Sequence, residues 1–152
     1  MNCQTTLYDA FTGINQLEKS AVVNFLFEFT PNARKRHIQE AVEYALKNKP
    51  SFGGFILTAK RDSKIIAAIV ANRTGMSGYN ANNIFVYVTL HDQHKTQERL
   101  ALDLLRKAIK HADGDIAMHV EPGNPALKLY EKLGFQPQYL ELRFSKSTPA
   151  VA

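Results

Sequence analysis

The chain has 152 residues, 45% of them hydrophobic, enough for one domain with a buried core. Its single cysteine, Cys3, excludes an internal disulfide and a cysteine-rich zinc site. A formal net charge of +5 gives only a weak field toward an anionic partner. The longest apolar run, Ile65 to Ala71, is far too short to cross a bilayer. The amino end lacks a basic start followed by an apolar segment, so the expected location is cytoplasmic, with no membrane partner. The densest basic cluster, Ala33 to His37, has no interleaved aromatics and no nucleic-acid motif. It reads as a solvated helix face, and no nucleic-acid partner is expected.

In chain order, Asn15 with Glu18 three residues on forms a capping-box-like start for a helix to about Phe29, with Leu17, Ala21, Phe25 and Leu26 on its apolar side. Past Pro31 and Asn32, Ile38, Ala41, Val42, Ala45 and Leu46 recur at helical spacing until Lys49 and Pro50. Two strand-like runs follow, "GGFILTAK" and "KIIAAIVANR", around the turn residues Arg61, Asp62 and Ser63, as in a β-hairpin. After "GMSGYNANN" comes "IFVYVTL", in which strict alternation puts Ile84, Val86 and Val88 on one face and Phe85, Tyr87 and Thr89 on the other. A helix from about Thr96 to His111 carries Leu100, Ala101, Leu104, Leu105 and Ala108 on its apolar face, and the strand "DIAMHV" follows. Strand, helix and strand in that order imply a parallel crossover.

The stretch "NPALKLYEKLGF" then reads as a helix with Asn124 as cap, Pro125 at its first position and Gly134 closing it in a left-handed conformation. A last strand, "YLELRF", precedes a disordered tail, residues 145–152. The expected architecture is an α/β (α+β) single domain over residues 1–144, a mixed central β-sheet with helices on both faces.

That order, together with "HVEPGNPALKLYEKLGF", resembles the GNAT superfamily of acyl-coenzyme A dependent N-acyltransferases. Asn124, Ala126, Leu129, Tyr130, Gly134 and Phe135 carry the specific part of the resemblance. It implies acetyl-coenzyme A as cosubstrate, no metal, and an amine acceptor that is a small molecule or a peptide. It also gives the Tyr130 hydroxyl a role, since the family's tyrosine points toward the cofactor sulfur and protonates the leaving thiolate. A phenol can do so if it lies within hydrogen-bond reach. Read without the resemblance, Tyr130 is a core tyrosine and Asn124 a helix cap; the resemblance places Asn124 near the pantetheine arm.

The family's diphosphate site is a glycine-rich turn before a helix, where backbone amides bind the anion. Here the turn is "HDQHKTQERLA". With Leu104 and Leu105 as the buried pair, Thr96 falls at the first position of the pattern, Arg99 at the first glycine and Ala101 at the last. A register starting at Gln93 leaves polar Gln97 where the helix wants an aliphatic residue. Arg99 departs from the pattern, and with Lys95 and His94 it offers side-chain contacts in place of backbone ones. Backbone groups at Val88 and Leu90 are expected to meet the pantetheine if the third strong strand splays from its parallel neighbour.

The expected reaction is direct attack of an amine on the thioester, with Tyr130 as acid. His119, on the strand beside the third strong strand, is the candidate base, and Glu121 lies at the same strand end. A non-catalytic acyl-coenzyme A sensor or structural relative with a degenerate phosphate loop is the alternative. The family usually has two strands after Phe135 and this chain offers one, so a strand is either absent or supplied by a neighbouring chain, as in a homodimer.

Overall fold

The computed structural model describes residues 3–94 and 97–146. A short strand comes first, β1 (Gln4–Tyr8), then helices α1 (Gln16–Phe29) and α2 (Lys35–Ala45). Strands β2 (Gly54–Arg61), β3 (Lys64–Arg73) and β4 (Asn83–Leu90) follow, then a 3-10 turn at Asp92–His94 and helix α3 (Glu98–His111). Strand β5 (Ile116–Ala117) and helix α4 (Leu127–Lys132) complete the regular elements. The sheet runs in chain order from β1 to β5; the first four strands are antiparallel, and β5 joins β4 in parallel. The mixed sheet with helices on both faces is therefore as expected.

Local chemistry accounts for these boundaries. Asn15 Oδ1 accepts from the Glu18 amide at 2.7 Å, capping α1. The Glu18 carboxylate does not reach back to Asn15. It accepts from Lys60 Nζ at 2.6 Å and from the Tyr8 hydroxyl at 3.1 Å, tying α1 to β1 and β2. Chiefly through the Lys60 bond, its pKa lies below the ordinary carboxylate value. The β2–β3 hairpin closes on two residues, Asp62 and Ser63, both at positive φ, with Arg61 paired to Lys64. Two left-handed central residues match the twist of the flanking strands.

Both sheet faces are covered. Val22, Leu26, Ile38 and Val42 of the first two helices pack on Ile56, Ala68 and Val70. Leu104, Leu105 and Ala108 of α3, with Tyr130 of α4, pack on Phe55, Leu57, Ile69 and Phe85. This explains why β2 and β3 are nearly continuous apolar runs, since strands buried on both sides need apolar residues at both parities.

Four expectations are corrected. β1 is a strand that sequence reasoning missed, a half-buried edge of five residues. The register of β3 against β4 slips between Val70 and Ala71, so that Val70 faces Tyr87 and Ala71 faces Phe85. Val86 is thus an extra residue on β4, and it breaks the alternation read from the sequence. Phe85, Val88 and Leu90 share the α3–α4 side while Tyr87 joins the α1–α2 side. The regular part of the helix expected from Asn124 begins only at Leu127. Finally, "YLELRF" forms no strand: no backbone hydrogen bond among the described residues joins residues 136–146 to the sheet, and β-propensity makes no strand without a partner. The tail expected over residues 145–152 lies, beyond Lys146, outside the described residues.

Asn83 is the residue on which the β4–β5 contact turns. It is 1% exposed; its amide donates to Asp115 O at 3.0 Å and its Nδ2 to Asp113 O at 2.9 Å. Asn83→Ala should lower stability by about 0.5–1.5 kcal/mol, because the side-chain bond to Asp113 O is lost while the backbone bond to Asp115 O remains. Chemical denaturation of parent and variant measures it; an unchanged midpoint would mean that Asn83 does not hold this contact.

Candidate functional site

The parallel contact between β4 and β5 lasts two residue pairs, Asn83 with Ile116 and Ile84 with Ala117. Beyond Ile84 the outer edge of β4 has no strand partner among the described residues, so the two chains diverge as a fork. The Val86 bulge lies at its base, where an extra residue increases local twist. Those backbone amides and carbonyls between Phe85 and Leu90 that do not bond to β3 therefore face the opening without a neighbouring strand to satisfy them. Val88 and Leu90, expected to offer backbone contacts, sit on that limb, and their side chains pack on the cluster that contains Tyr130.

Tyr130 closes the fork from the α4 side. It is 7% exposed, its ring lies 6.2 Å from Phe135 in an edge-on contact, and Ala126, Leu129 and Leu133 surround it. Among the described residues its hydroxyl has no hydrogen-bond partner. Burial raises its pKa above the ordinary 10.0, so the phenol keeps its proton at neutral pH. A protonated hydroxyl with no protein partner, at the tip of a buried ring, is a donor available to a ligand. Asn124 lies one turn before: its Oδ1 accepts from the Ala126 amide at 2.9 Å and its carbonyl from the Leu127 amide at 3.0 Å. Its side chain thus turns the chain into α4, as the capping expectation required, and Gly134 adopts φ of 104° after the helix.

The turn from β4 to α3 is the other wall. Of the residues expected there, Lys95 and Thr96 lie outside the described residues. Arg99 is exposed on the first turn of α3, whereas Ala101 is 5% exposed and faces the core. Leu104 and Leu105 are both buried, which is the helical phase chosen from the sequence. Gln97 precedes the helix without a side-chain cap bond, so the amides of the first turn are not capped by it. Glu98 would oppose an anion at that end, but Lys132 of α4 pairs with its carboxylate. His94 was counted only as a cation near the loop; the structure buries it to 9% exposure, with Nδ1 lacking a partner. The sequence signal for that burial, a polar "HDQH", is indistinguishable from a solvated turn.

His119 is not brought to Tyr130. β5 has ended by then, and Met118 and Val120 pack toward the Tyr130 cluster while His119 between them is exposed. Its Nε2 lies 3.8 Å from Glu141 Oε1. Glu121 is exposed. On the opposite side of the fork, Thr89 shares a hydroxyl–hydroxyl bond of 2.8 Å with Thr30 at the end of α1, and His91 stacks at 4.2 Å on Phe29. Burial first, and the Glu40 carboxylate second, raise the pKa of Tyr87 on this side. The sequence did not betray the Thr30–Thr89 bond, whose partners are 59 residues apart.

Known proteins share this fold. The model of the acetyltransferase (GNAT) family matches residues 19–135. The aminoglycoside N-acetyltransferase AAC(6')-Iy, solved in complex with CoA, superposes with a TM-score of 0.67 at 13% identity, over 97% of this chain and 97% of that one. A GNAT family acetyltransferase from Streptococcus pneumoniae gives 0.67 at 13% identity, over 95% and 99%. A ribosomal-protein-alanine N-acetyltransferase from Brucella melitensis gives 0.61 at 12% identity, over 95% and 99%. None of the curated proteins compared matches the chain significantly. The structural likenesses establish the fold, and the family match spans most of the chain. The fork between β4 and β5, flanked by the α3 amino end and Tyr130, belongs to a member of the acetyltransferase (GNAT) family.

Proposed function

We propose that this chain is an N-acetyltransferase that moves an acetyl group from acetyl-coenzyme A to an amine, by direct attack in the β4–β5 fork. The observation that carries this is the unpaired β4 edge facing a buried, protonated Tyr130. An extended pantetheine arm carries amide groups, and an open strand edge offers them donors and acceptors as a neighbouring strand would. Asn124 borders that arm, and the diphosphate meets the first turn of α3. There the helix amino end and the Arg99 guanidinium, with Lys95 and Thr96 beside it in sequence, take over from glycine-rich backbone. Ala101 contributes as the small residue that lets α3 pack closely on the sheet.

The amine lone pair attacks the thioester carbon, whose oxygen gains charge that β4 backbone amides stabilise. Collapse breaks the carbon–sulfur bond, and the departing thiolate takes the Tyr130 proton. The proton of the new ammonium leaves through water to His119, which is exposed on the diverging limb beyond β5. The acceptor enters from the α1–α2 side, past Glu28 and the exposed loop at Tyr79. Tyr44 is committed there already, donating to Arg73 O at 2.7 Å. We infer a small-molecule or peptide amine. One solved likeness, again AAC(6')-Iy, holds a bisubstrate analogue of CoA and acetylneamine, which supports the small-molecule class. The active unit spans residues 1–144, in a cytoplasmic setting compatible with the free Cys3. Among the described residues no helix is long and apolar enough to cross a membrane.

The experiment that tests the proposal combines binding and turnover. Acetyl-coenzyme A should raise the melting temperature, because it binds the folded state alone, and a panel of aminoglycosides, polyamines and peptides should include one that releases free thiol. No shift removes both the enzyme and the sensor; a shift without turnover on any amine leaves the sensor. Arg99→Ala should weaken cofactor binding, and more so at low salt; equal affinity would exclude the guanidinium from the diphosphate site.

Tyr130→Phe should slow the chemical step by roughly 10²-fold or more while cofactor affinity holds. Unchanged turnover would make the phenol structural. A raised folded-state pKa also means stability present below the unfolded value near 10.0 and lost as pH rises through the folded value. Tyr8 and Tyr87 are raised as well, so Tyr130→Phe should reduce the alkaline loss of stability without abolishing it.

A further inference from the structure

The segment after α4 is the part of the molecule with the most uncovered apolar surface. Tyr139, Leu140, Leu142 and Phe144 are 85%, 85%, 87% and 87% exposed. Arg143 Nη2 donates to Glu141 Oε1 at 2.6 Å, a contact between residues two apart, and in an extended segment such residues share one face. Leu140, Leu142 and Phe144 therefore share the other face. A polypeptide with period-two apolar residues and no ladder partner is a strand without a sheet.

We propose that residues 140–144 pair antiparallel with the same segment of a second copy of this chain, on a two-fold axis at Leu142. In that register Leu142 meets the partner's Leu142, Leu140 meets the partner's Phe144, and Phe144 meets the partner's Leu140. Glu141 faces the partner's Arg143 and Arg143 the partner's Glu141. Every apolar residue opposes an apolar one and every charge its opposite, twice over by symmetry. The alternatives fail on the same charges. Parallel in-register pairing sets Glu141 against the partner's Glu141. An antiparallel slip by two residues opposes either the partner's Glu141 to Glu141 or the partner's Arg143 to Arg143. A slip by one exchanges the apolar and charged faces. The five residues are self-complementary in one arrangement, which a lipid surface or an unrelated apolar partner would not require. The inference is independent of the chemistry proposed for the fork, and it gives the expected homodimer a specific contact.

The test is sedimentation velocity on the full chain at low salt, over a range of concentrations. The parent should sediment as a dimer that dissociates on dilution. Glu141→Arg places two arginines against two, and Arg143→Glu two glutamates against two, so each variant alone should dimerise roughly tenfold or more weakly. Mixing the two variants should restore a heterodimer, and the double variant should restore the homodimer. Leu142→Asp, which puts two carboxylates on the axis, should be monomeric and stay so in every mixture. The segment lies outside both core clusters, so all variants should keep the far-ultraviolet circular dichroism of the parent. A monomeric parent, single swaps that dimerise as the parent does, or a mixture that fails to recover the dimer would each overturn the proposal.

Discussion

Asn83 holds the single parallel contact of the sheet, and the rest of the molecule is arranged around how short that contact is. Its amide and side chain collect the carbonyls of Asp113 and Asp115, so β5 starts in register with β4 and then leaves it after two residue pairs. On the other side of β4 the ladder continues for seven residue pairs with β3. The strand is thus rigidly backed along its length and open along its front. A sheet that opens where it is best supported offers unsatisfied backbone groups in a fixed geometry, which a flexible loop cannot do. The Val86 bulge adds the twist that turns Val88 and Leu90 toward Tyr130.

In the proposed site the two helices bordering the opening serve different ends of one extended ligand. α4 brings the Tyr130 phenol, and its shortness matters: Asn124 bends the chain in, six residues of helix place Tyr130, and Gly134 bends it out. α3 brings an amino end that Gln97 does not cap, and the Lys132–Glu98 pair both joins α3 to α4 and offsets an acidic side chain that would repel a phosphate. On the proposed reading, a turn without glycine moves recognition from backbone to Arg99, a change of contact rather than of place.

The covered faces were legible because hydrophobic period reports burial directly. Leu104 and Leu105 gave the phase of α3, and the runs "GFILTAK" and "KIIAAIVANR" gave strands with both sides buried. Tyr130 stood out because a phenol interrupts an aliphatic stripe, and its burial is as that stripe implied. What stayed hidden depends on partners far away in sequence. A bulge at Val86 leaves no trace in composition, since Val fits either parity. The brevity of β5 follows from where Asp113 and Asp115 meet Asn83, and "DIAMHV" reads the same whether two residues pair or six. His94 is buried by neighbours that a polar turn does not announce. "YLELRF" has the propensity of a strand, and propensity alone could not say that it does not pair with its own sheet.

The account depends most on the fork being the cofactor site, and backbone amide NMR of the isotopically labelled chain tests that most directly. Addition of acetyl-coenzyme A should shift the amides of Phe85 to Leu90, of the first turn of α3, and of Asn124 to Tyr130, and leave α2 unmoved. Saturating cofactor that shifts no amide in the fork, or shifts only those on the α1–α2 face, would contradict it.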